Sequence, residues 1–327
     1  MNHKFAALLI GLCASVASAV AQDYSLTNHN IVPFSINPAQ AGNANAIRLG
    51  LDFRQQWPTL DNHYTTVRLS YDQNFYKRMC SLGAFYTYDD MAAGVFRTNE
   101  LGLVYAHTLE LSDNCFLRLG LQGSYFLNYF DYDKLQYGDQ YDEATGRIDA
   151  NTVENFDSNT RQLFDFSAGA VFNVENVFSL GGAVYHIAEP DNGFVRKSEN
   201  SLTRKFVVHG NYMHNLRYSN GLWSRRELSD NYMFFNANYQ LQGDFQQAYL
   251  GAGAFVAPLI LGVAEKSDLD QVYVTAFMLG ATYKGLQVYY VYDLFTGSRE
   301  NGSWSHELSL IYIIQKKERF PCPVTYW

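Results

Sequence analysis

The sequence predicts an all-β fold, a transmembrane antiparallel β-barrel of about fourteen strands. Three observations point there: apolar residues alternate with polar or small ones along most of the chain, aromatic residues are abundant, and short and long connections take turns. Tyrosine (25) and phenylalanine (23) together are twice as frequent as lysine plus arginine (24), while glycine (24) is common and proline (7) scarce, a balance that favours strands. At 47 % apolar and 17 % charged, the chain is too polar for a bundle of membrane helices and too aromatic for disorder. Beyond the N-terminus the most apolar run, residues 255–264, is about half of what a spanning helix needs. A net charge of −8 with no basic block excludes a nucleic-acid partner, because phosphate contacts need clustered lysine and arginine.

The N-terminus reads as an export signal. Lys4 precedes the apolar run from Phe5 to Val16, and Ala19-Val20-Ala21 supplies a small-residue cleavage site, which predicts removal of residues 1–21 before Gln22. Residues 22–44 are then expected to form a periplasmic segment, 45–315 the barrel, and 316–327 a periplasmic tail. Cys13 follows Leu12, where a lipid-attachment signal would have a small residue. Of the remaining cysteines, Cys80 and Cys115 fall on strands with another strand between them. Two strand spacings of about 4.8 Å exceed disulfide reach, so free thiols are expected there; Cys322 is left over.

The strands follow in order. Ile47, Leu49, Leu51 and Phe53 face one way while Arg48, Gly50, Asp52 and Arg54 face the other, which defines a first strand at 45–57. Thr65, Val67, Leu69 and Tyr71 alternate with Arg68, Ser70 and Asp72 in a second at 63–74, and Leu101, Leu103 and Tyr105 alternate with Glu100 and Gly102 in a fourth. The same reading gives 79–89, 97–110, 114–129, 161–174, 177–187, 204–214, 221–228, 232–241, 244–256, 270–283, 285–295 and 304–315, of which 221–228, through Trp223 to Arg226, is the least regular. Connections at 75–78, 111–113, 175–176, 215–220, 242–243 and 284–285 are short and are assigned to the periplasmic side. Those at 130–160, 188–203, 257–269 and 296–303 are long and are assigned to the exterior, apart from a brief link at 228–231. Both termini then lie in the periplasm.

The wall's inner face carries the charges. Asp52, Arg54, Arg68, Asp72, Arg118, Asp165, Asp293 and Glu307 share a side with the small residues of their strands. Mixed signs favour a lumen filled by paired charges over an open channel, which would carry single-sign rings. Glu307 on the last strand neighbours the first across the seam and is expected to pair with Arg54 or Arg48. Trp57-Pro58, ending the first strand, reads as an aromatic anchor at the membrane boundary. Asn37 before Pro38 is held extended, and Gly42 tolerates positive φ, so the two frame a turn into the first strand.

Signs of catalysis are absent from the sequence. There is no G-x-S-x-G, H-E-x-x-H, Walker A or C-x-x-C motif. His306-Glu307 starts like a zinc motif but continues Leu-Ser-Leu on a strand, and the histidines share no face, so no metal, no cofactor and no enzyme activity is expected. A lipid hydrolase built from Ser303, Ser305 and His306 is a remote alternative. The acidic loop 130–160, with Asp131, Asp133, Asp139, Asp142 and Glu143, reads as a solvated surface, because its spacing does not match a calcium loop.

Four strings carry a family resemblance. Ser35-Ile-Asn-Pro-Ala-Gln-Ala-Gly42 resembles the N-P-A-x-A-G motif of the PorP/SprF family of type IX secretion outer-membrane proteins. Phe53-Arg-Gln-Gln-Trp-Pro58 resembles that family's Y-R-x-Q-W. Tyr290-Val-Tyr-Asp293 and Ser305-His-Glu-Leu-Ser-Leu-Ile-Tyr312 resemble its Y-x-Y-D and S-H-E-I-S-L-x-Y finish, although Trp304 and Ser305 interrupt the Gly-Ser-His-Glu of the family. The resemblance implies an outer-membrane barrel that assists export or surface attachment of particular cargo, such as an adhesin used for gliding. It would do so by binding the cargo's C-terminal signal region or the translocon. Asn37, Pro38, Ala39, Ala41, Gly42, Arg54, Trp57, Asp293, His306 and Glu307 are the matching positions. For the first of these strings a plug or turn at the barrel opening and a partner-binding role both remain open. The alternative function is an outer-membrane channel or ligand-specific transporter.

Overall fold

The computed structural model describes residues 23–24, 26–27, 29, 33–44, 46–135, 140–142, 147–148, 158–174, 177–194, 201–216, 231–269, 273–296 and 304–315. The strands are β1 (Ala46–Gln56), β2 (Tyr64–Phe75), β3 (Cys80–Met91), β4 (Phe96–Ser112), β5 (Cys115–Phe130), β6 (Tyr141–Asp142), β7 (Arg147–Ile148), β8 (Thr160–Val174) and β9 (Phe178–Tyr185). They continue as β10 (Lys205–Asn215), β11 (Asn231–Gln242), β12 (Phe245–Val256), β13 (Leu259–Ser267), β14 (Tyr273–Tyr283), β15 (Leu286–Phe295) and β16 (Trp304–Gln315). β6 and β7 pair only with each other, within the loop after β5. The other fourteen pair with their sequence neighbours, antiparallel throughout, and β1 closes on β16.

Period two puts one side of every strand in lipid and the other in the lumen. Leu103 is 67 % exposed, Phe164 69 % and Leu250 65 %, and large apolar side chains like these cover the outer wall. A soluble protein does not expose such a surface, whereas a bilayer solvates it. The lumen side mixes small and polar residues with buried apolar ones such as Phe85, Val104 and Phe234. All eight charges assigned to the inner face are buried, none more than 3 % exposed. Cys80 and Cys115 are free, as expected, at the end of the barrel where β1 begins, here called the base.

The count of fourteen barrel strands is right, but the strands that make it up differ from those expected. The strand expected at 221–228 lies outside the described residues, and β10 pairs directly with β11, with Asn215 opposite Tyr232. Residues 257–269, expected as an exterior loop, hold β13 instead. It is joined to β12 by the two-residue turn Ala257-Pro258, with Val256 opposite Leu259. On β13 the lumen side is Gly262 and Ala264, so its alternation of large and small residues looks like one unbroken apolar run. The exchange reverses β11 and β12. The Gly243-Asp244 turn therefore lies at the opposite end, the mouth, with the loop 131–159, and the longer 216–230 connection lies at the base. Gly243 has φ +57°, which suits a tight turn.

Residues 22–44 were expected as a periplasmic segment, with a plug or turn at the barrel opening left open for Ser35 to Gly42. Their described part runs inside it: Asp23 lies against Lys205 and Gln242 near the mouth, and Gly42 against Asp72 and Ser81 toward the base, where β1 starts. The chain thus descends through its own lumen before turning up into the wall.

Candidate functional site

The lower part of this segment, 33–44, is a wedge of two 3-10 turns, Pro33–Ser35 and Pro38–Gln40. Asn37 caps the second turn: its extended backbone (φ −151°) and its side-chain oxygen, which accepts from the Ala39 N–H at 3.0 Å, set the turn up for Pro38 at its first position. The Asn37 amide donates to wall carbonyls of Ala170 (3.1 Å) and Gly182 (3.0 Å) and lies 3.1 Å from His209 Nε2. Those carbonyls belong to β8 and β9, so one side chain ties the wedge to two strands.

Glycines in the wall make the room. A Cβ on Gly120 would sit 2.1 Å from the Ala39 nitrogen, and one on Gly169 would sit 2.1 Å from Asn37 Oδ1. Gly120 and Gly169 face each other across β5 and β8. Ala39 and Ala41 are fully buried; a larger side chain there would have no space against those strands. Gly42 at φ +70° lets its N–H reach Asp72 Oδ2 at 2.5 Å, and Arg118 donates to the Ala41 carbonyl. Phe34 packs with Phe85 and Val104, and Ile36 with Ala183, Tyr185 and Val207. Asn37, Pro38, Ala39, Ala41 and Gly42 therefore contact the wall and expose almost nothing.

The upper part, through residues 23–29, is held by polar contacts. Tyr24 accepts from Arg68 (2.7 Å) and donates to Glu100 (3.0 Å), while the Arg68 guanidinium lies 4.0 Å from the centre of the Phe85 ring. Thr27 sits in a four-charge cluster. Its N–H donates to Glu307 at 2.7 Å and its hydroxyl to Asp293 at 2.8 Å, and Arg54 contacts its Oγ1. Arg54 pairs with Asp293 at 2.7 Å and Glu307 at 3.0 Å, and Lys266 pairs with Asp293 at 2.9 Å. Two cations and two carboxylates balance, as buried charges must. The expected seam pair is Arg54 with Glu307, register partners across β1 and β16; Arg48 pairs with Asp72 instead, at 2.7 Å.

A second tie involves His186, just past β9. Its Nε2 is 2.9 Å from Asp23 and its Nδ1 is 3.0 Å from Asp165, and Lys205 also pairs with Asp23. Burial works against the imidazolium, but Asp23 and Asp165 outweigh it and push His186 up to about 9. Burial likewise opposes the Asp23 carboxylate, yet Lys205 and His186 hold its pKa well below the usual range. His29, packed edge-on against Tyr249, is pushed down to about 3 by burial and by Lys266 and Arg54, and is neutral.

Two expected site residues lie elsewhere. His306 points to the outer face, in an aromatic patch with Trp304 and Tyr292 and in contact with the Tyr290 hydroxyl, and does not join Glu307 in the lumen. Trp57, at the mouth end of β1 with φ +51°, packs on Tyr64 and Phe295, inward-facing residues of β2 and β15. It lines a cavity at the mouth as well as marking the strand end. Sequence reasoning missed Asp23, Thr27, His186 and Lys266. Lys266 alternates with Ala264 on the unrecognised β13, a signal that was present; the others have no periodicity to reveal them. Among the described residues no group of histidine, cysteine and carboxylate side chains has the arrangement of a metal site.

A closed antiparallel barrel with an apolar belt, whose described residues include no helix long and apolar enough to cross a membrane, is a protein of the outer-membrane β-barrel class. Within that class the match is specific. The family described as "Type IX secretion system membrane protein PorP/SprF" matches residues 18–312, and the chain belongs to it. No curated protein matches. Among solved structures, the CymD monoaromatic hydrocarbon channel is 10 % identical with a TM-score of 0.51, covering 90 % of this chain and 95 % of that one. The toluene transporter TbuX of Ralstonia pickettii is 12 % identical with a TM-score of 0.49, covering 87 % and 92 %. Omp33 of Acinetobacter baumannii is 10 % identical with a TM-score of 0.46, covering 83 % and 100 %. At these identities the likeness is one of fold.

Proposed function

We propose that this protein is an accessory barrel of type IX secretion that assists export or surface attachment of specific cargo, such as an adhesin, by binding the cargo's C-terminal signal region or components of the translocon. It reaches the outer membrane by way of a cleaved signal peptide at residues 1–21. The observation that carries this reading is the filled lumen: residues 33–44 are wedged against the wall, and the charges above them are spent on one another and on Thr27. A barrel filled in this way is a poor passive pore, so its use lies in its surfaces. The long mouth loop 130–160 is the first place to look for partner contact. The buried Asn37–Gly42 motif acts in this reading as a structural plug.

Deleting the gene should remove one or a few type IX cargo proteins from the cell surface and leave small-solute permeability unchanged, measured by surface proteomics and uptake assays. An unchanged surface proteome together with impaired uptake would refute this reading. The second reading, a ligand-specific channel or transporter, is favoured by one feature, the cavity at the mouth. It requires the plug to move, and predicts steady conductance of the purified protein in planar bilayers.

A further inference from the structure

The mouth cavity holds about 480 Å3 and adjoins a smaller one of about 100 Å3 that runs beside the upper strap. Its volume falls in the range of small-molecule sites. Its wall is unlike the charged cluster beneath it. The inward positions of β1, β11 and β12 place four glutamine amides there, Gln56, Gln240, Gln242 and Gln247, and the aromatic faces of Trp57, Tyr64, Phe245 and Phe295 stand among them.

The cations bordering the cavity are already committed. Arg54 is held by Asp293 and Glu307, Lys266 by Asp293, and Lys205 by Asp23, so an anion finds no free counter-charge among them, while Asp89 makes no ion pair among the described residues. Three buried polar atoms of cavity-lining residues have no partner among the described residues: Asp89 Oδ2, Arg54 Nε and Trp57 Nε1. Asp89 and Arg54 are each only 2 % exposed, and the other Asp89 oxygen is used by Thr66 at 2.6 Å. These atoms are closed off from the cavity, so the polar groups it offers a ligand are the glutamine amides other than Gln242, which is held by Asp23 and Thr203, and a hydroxyl group, which both accepts and donates, matches them. Amides serve the same dual role, and aromatic faces suit the C–H face of a sugar ring. A ligand with many hydroxyls, one apolar face and no net charge meets all of these conditions together.

We infer that the mouth cavity is a binding site for a neutral saccharide of one or two rings. Such a ligand can come free in the medium or as the end of a glycan on a surface molecule. The site is independent of the channel reading, because it needs no movement of the plug.

The test uses the full mature protein, folded in detergent and titrated by calorimetry and tryptophan fluorescence. The probes are glucose, galactose, N-acetylglucosamine, maltose and cellobiose, with glucuronate and glucosamine as charged controls. At least one neutral sugar should bind saturably, change the tryptophan emission, and bind more tightly than either charged control. Gln247→Leu should weaken binding about tenfold, the loss of one or two neutral hydrogen bonds, with unchanged heat-modifiability on gels. Trp57→Phe should lose most of the emission change and weaken binding. Equal binding of the methyl glycoside and the free sugar would identify an attached glycan as the source, and preference for the free sugar a soluble one. Absence of saturable binding to every neutral sugar, tighter binding of a charged control, or binding unchanged in both Gln240→Leu and Gln247→Leu would overturn the inference.

Discussion

Replacing Arg54 by methionine removes one of two cations from a buried cluster and leaves Lys266 facing both Asp293 and Glu307. The Arg54–Glu307 contact is 3.0 Å long with both side chains 2 % exposed or less. At an effective dielectric of about 20, that separation gives a gross attraction of about 5 kcal/mol, most of it offset by the desolvation already suffered by both ions. The mutation restores none of that desolvation, because Glu307 stays buried. Arg54→Met should therefore cost about 4 kcal/mol, lowering the melting temperature by about 6 °C for a chain of this size. Arg54→Met with Glu307→Gln leaves the neutral Lys266–Asp293 pair, and the new amide oxygen still accepts from the Thr27 N–H. The double variant should recover about half of the loss. Heat-modifiability on gels and circular dichroism melts of the four proteins give the cycle. Additive losses, with a coupling below about 0.5 kcal/mol, would refute the idea that the cluster acts as one charge-balanced unit.

Other outcomes follow from the same geometry. Gly120→Ala sets a methyl against the backbone of Ala39, so it should destabilise the barrel or expel the wedge and give steady bilayer conductance; wild-type stability and silence would count against the wedge. Asn37→Ala strands two wall carbonyls and the Ala39 N–H and should cost about 3 kcal/mol by thermal melts, whereas a loss under about 1 kcal/mol would show that the cap is dispensable. Because the folded pKa of His186 is raised from 6.5 to about 9, its stabilisation is full below pH 6.5 and is lost as pH rises through 9. The difference in melting temperature between wild type and His186→Gln should shrink accordingly, and a difference that grows above pH 9 would contradict the tie to Asp23. Single cysteine probes at 140 and 243 should label from one face of the membrane and one at 258 from the other, since the first two lie at the mouth and the third at the base.

Most of the wall was legible because lipid and lumen impose opposite demands on successive residues. Arg48, Asp52 and Arg54 could not face lipid, and Leu49, Leu51 and Phe53 had no other place to go, so β1 could be read to within a residue or two of its ends. The same logic failed where the lumen side was itself small or apolar. On β13, Ile260, Gly262 and Ala264 face inward, which erases the polar half of the pattern until Lys266. The short-inside, long-outside rule then kept the total at fourteen by accepting 221–228, and so put Gly243 on the wrong face. Loop length is a weaker constraint than pairing, because a two-residue hairpin such as Gly243-Asp244 closes equally well at either end.

The plug was harder to read because its information lies in two distant parts of the sequence. Ser35 to Gly42 carries a recognisable motif, but nothing local says that Asn37 spends its amide on Ala170 and Gly182, more than 130 residues away. The complementary signal is a set of absences: Gly120, Gly169 and Gly181 are inward positions on β5, β8 and β9 where a barrel interior would otherwise be filled by side chains. Three neighbouring strands that leave such positions empty must have them occupied by something else. Gly120 and Gly169 are opposed across one strand pair, and a side chain on Gly181 would clash with the His209 ring, whose Nε2 lies 3.1 Å from the Asn37 amide. A cluster of inward glycines at one level of a barrel is thus the imprint of an inserted backbone, and the small residues of Asn37-Pro38-Ala39-Gln40-Ala41-Gly42 are the shape that fits it. The motif and the glycines form a single packing unit, so a change in either is expected to be tolerated only with a compensating change in the other.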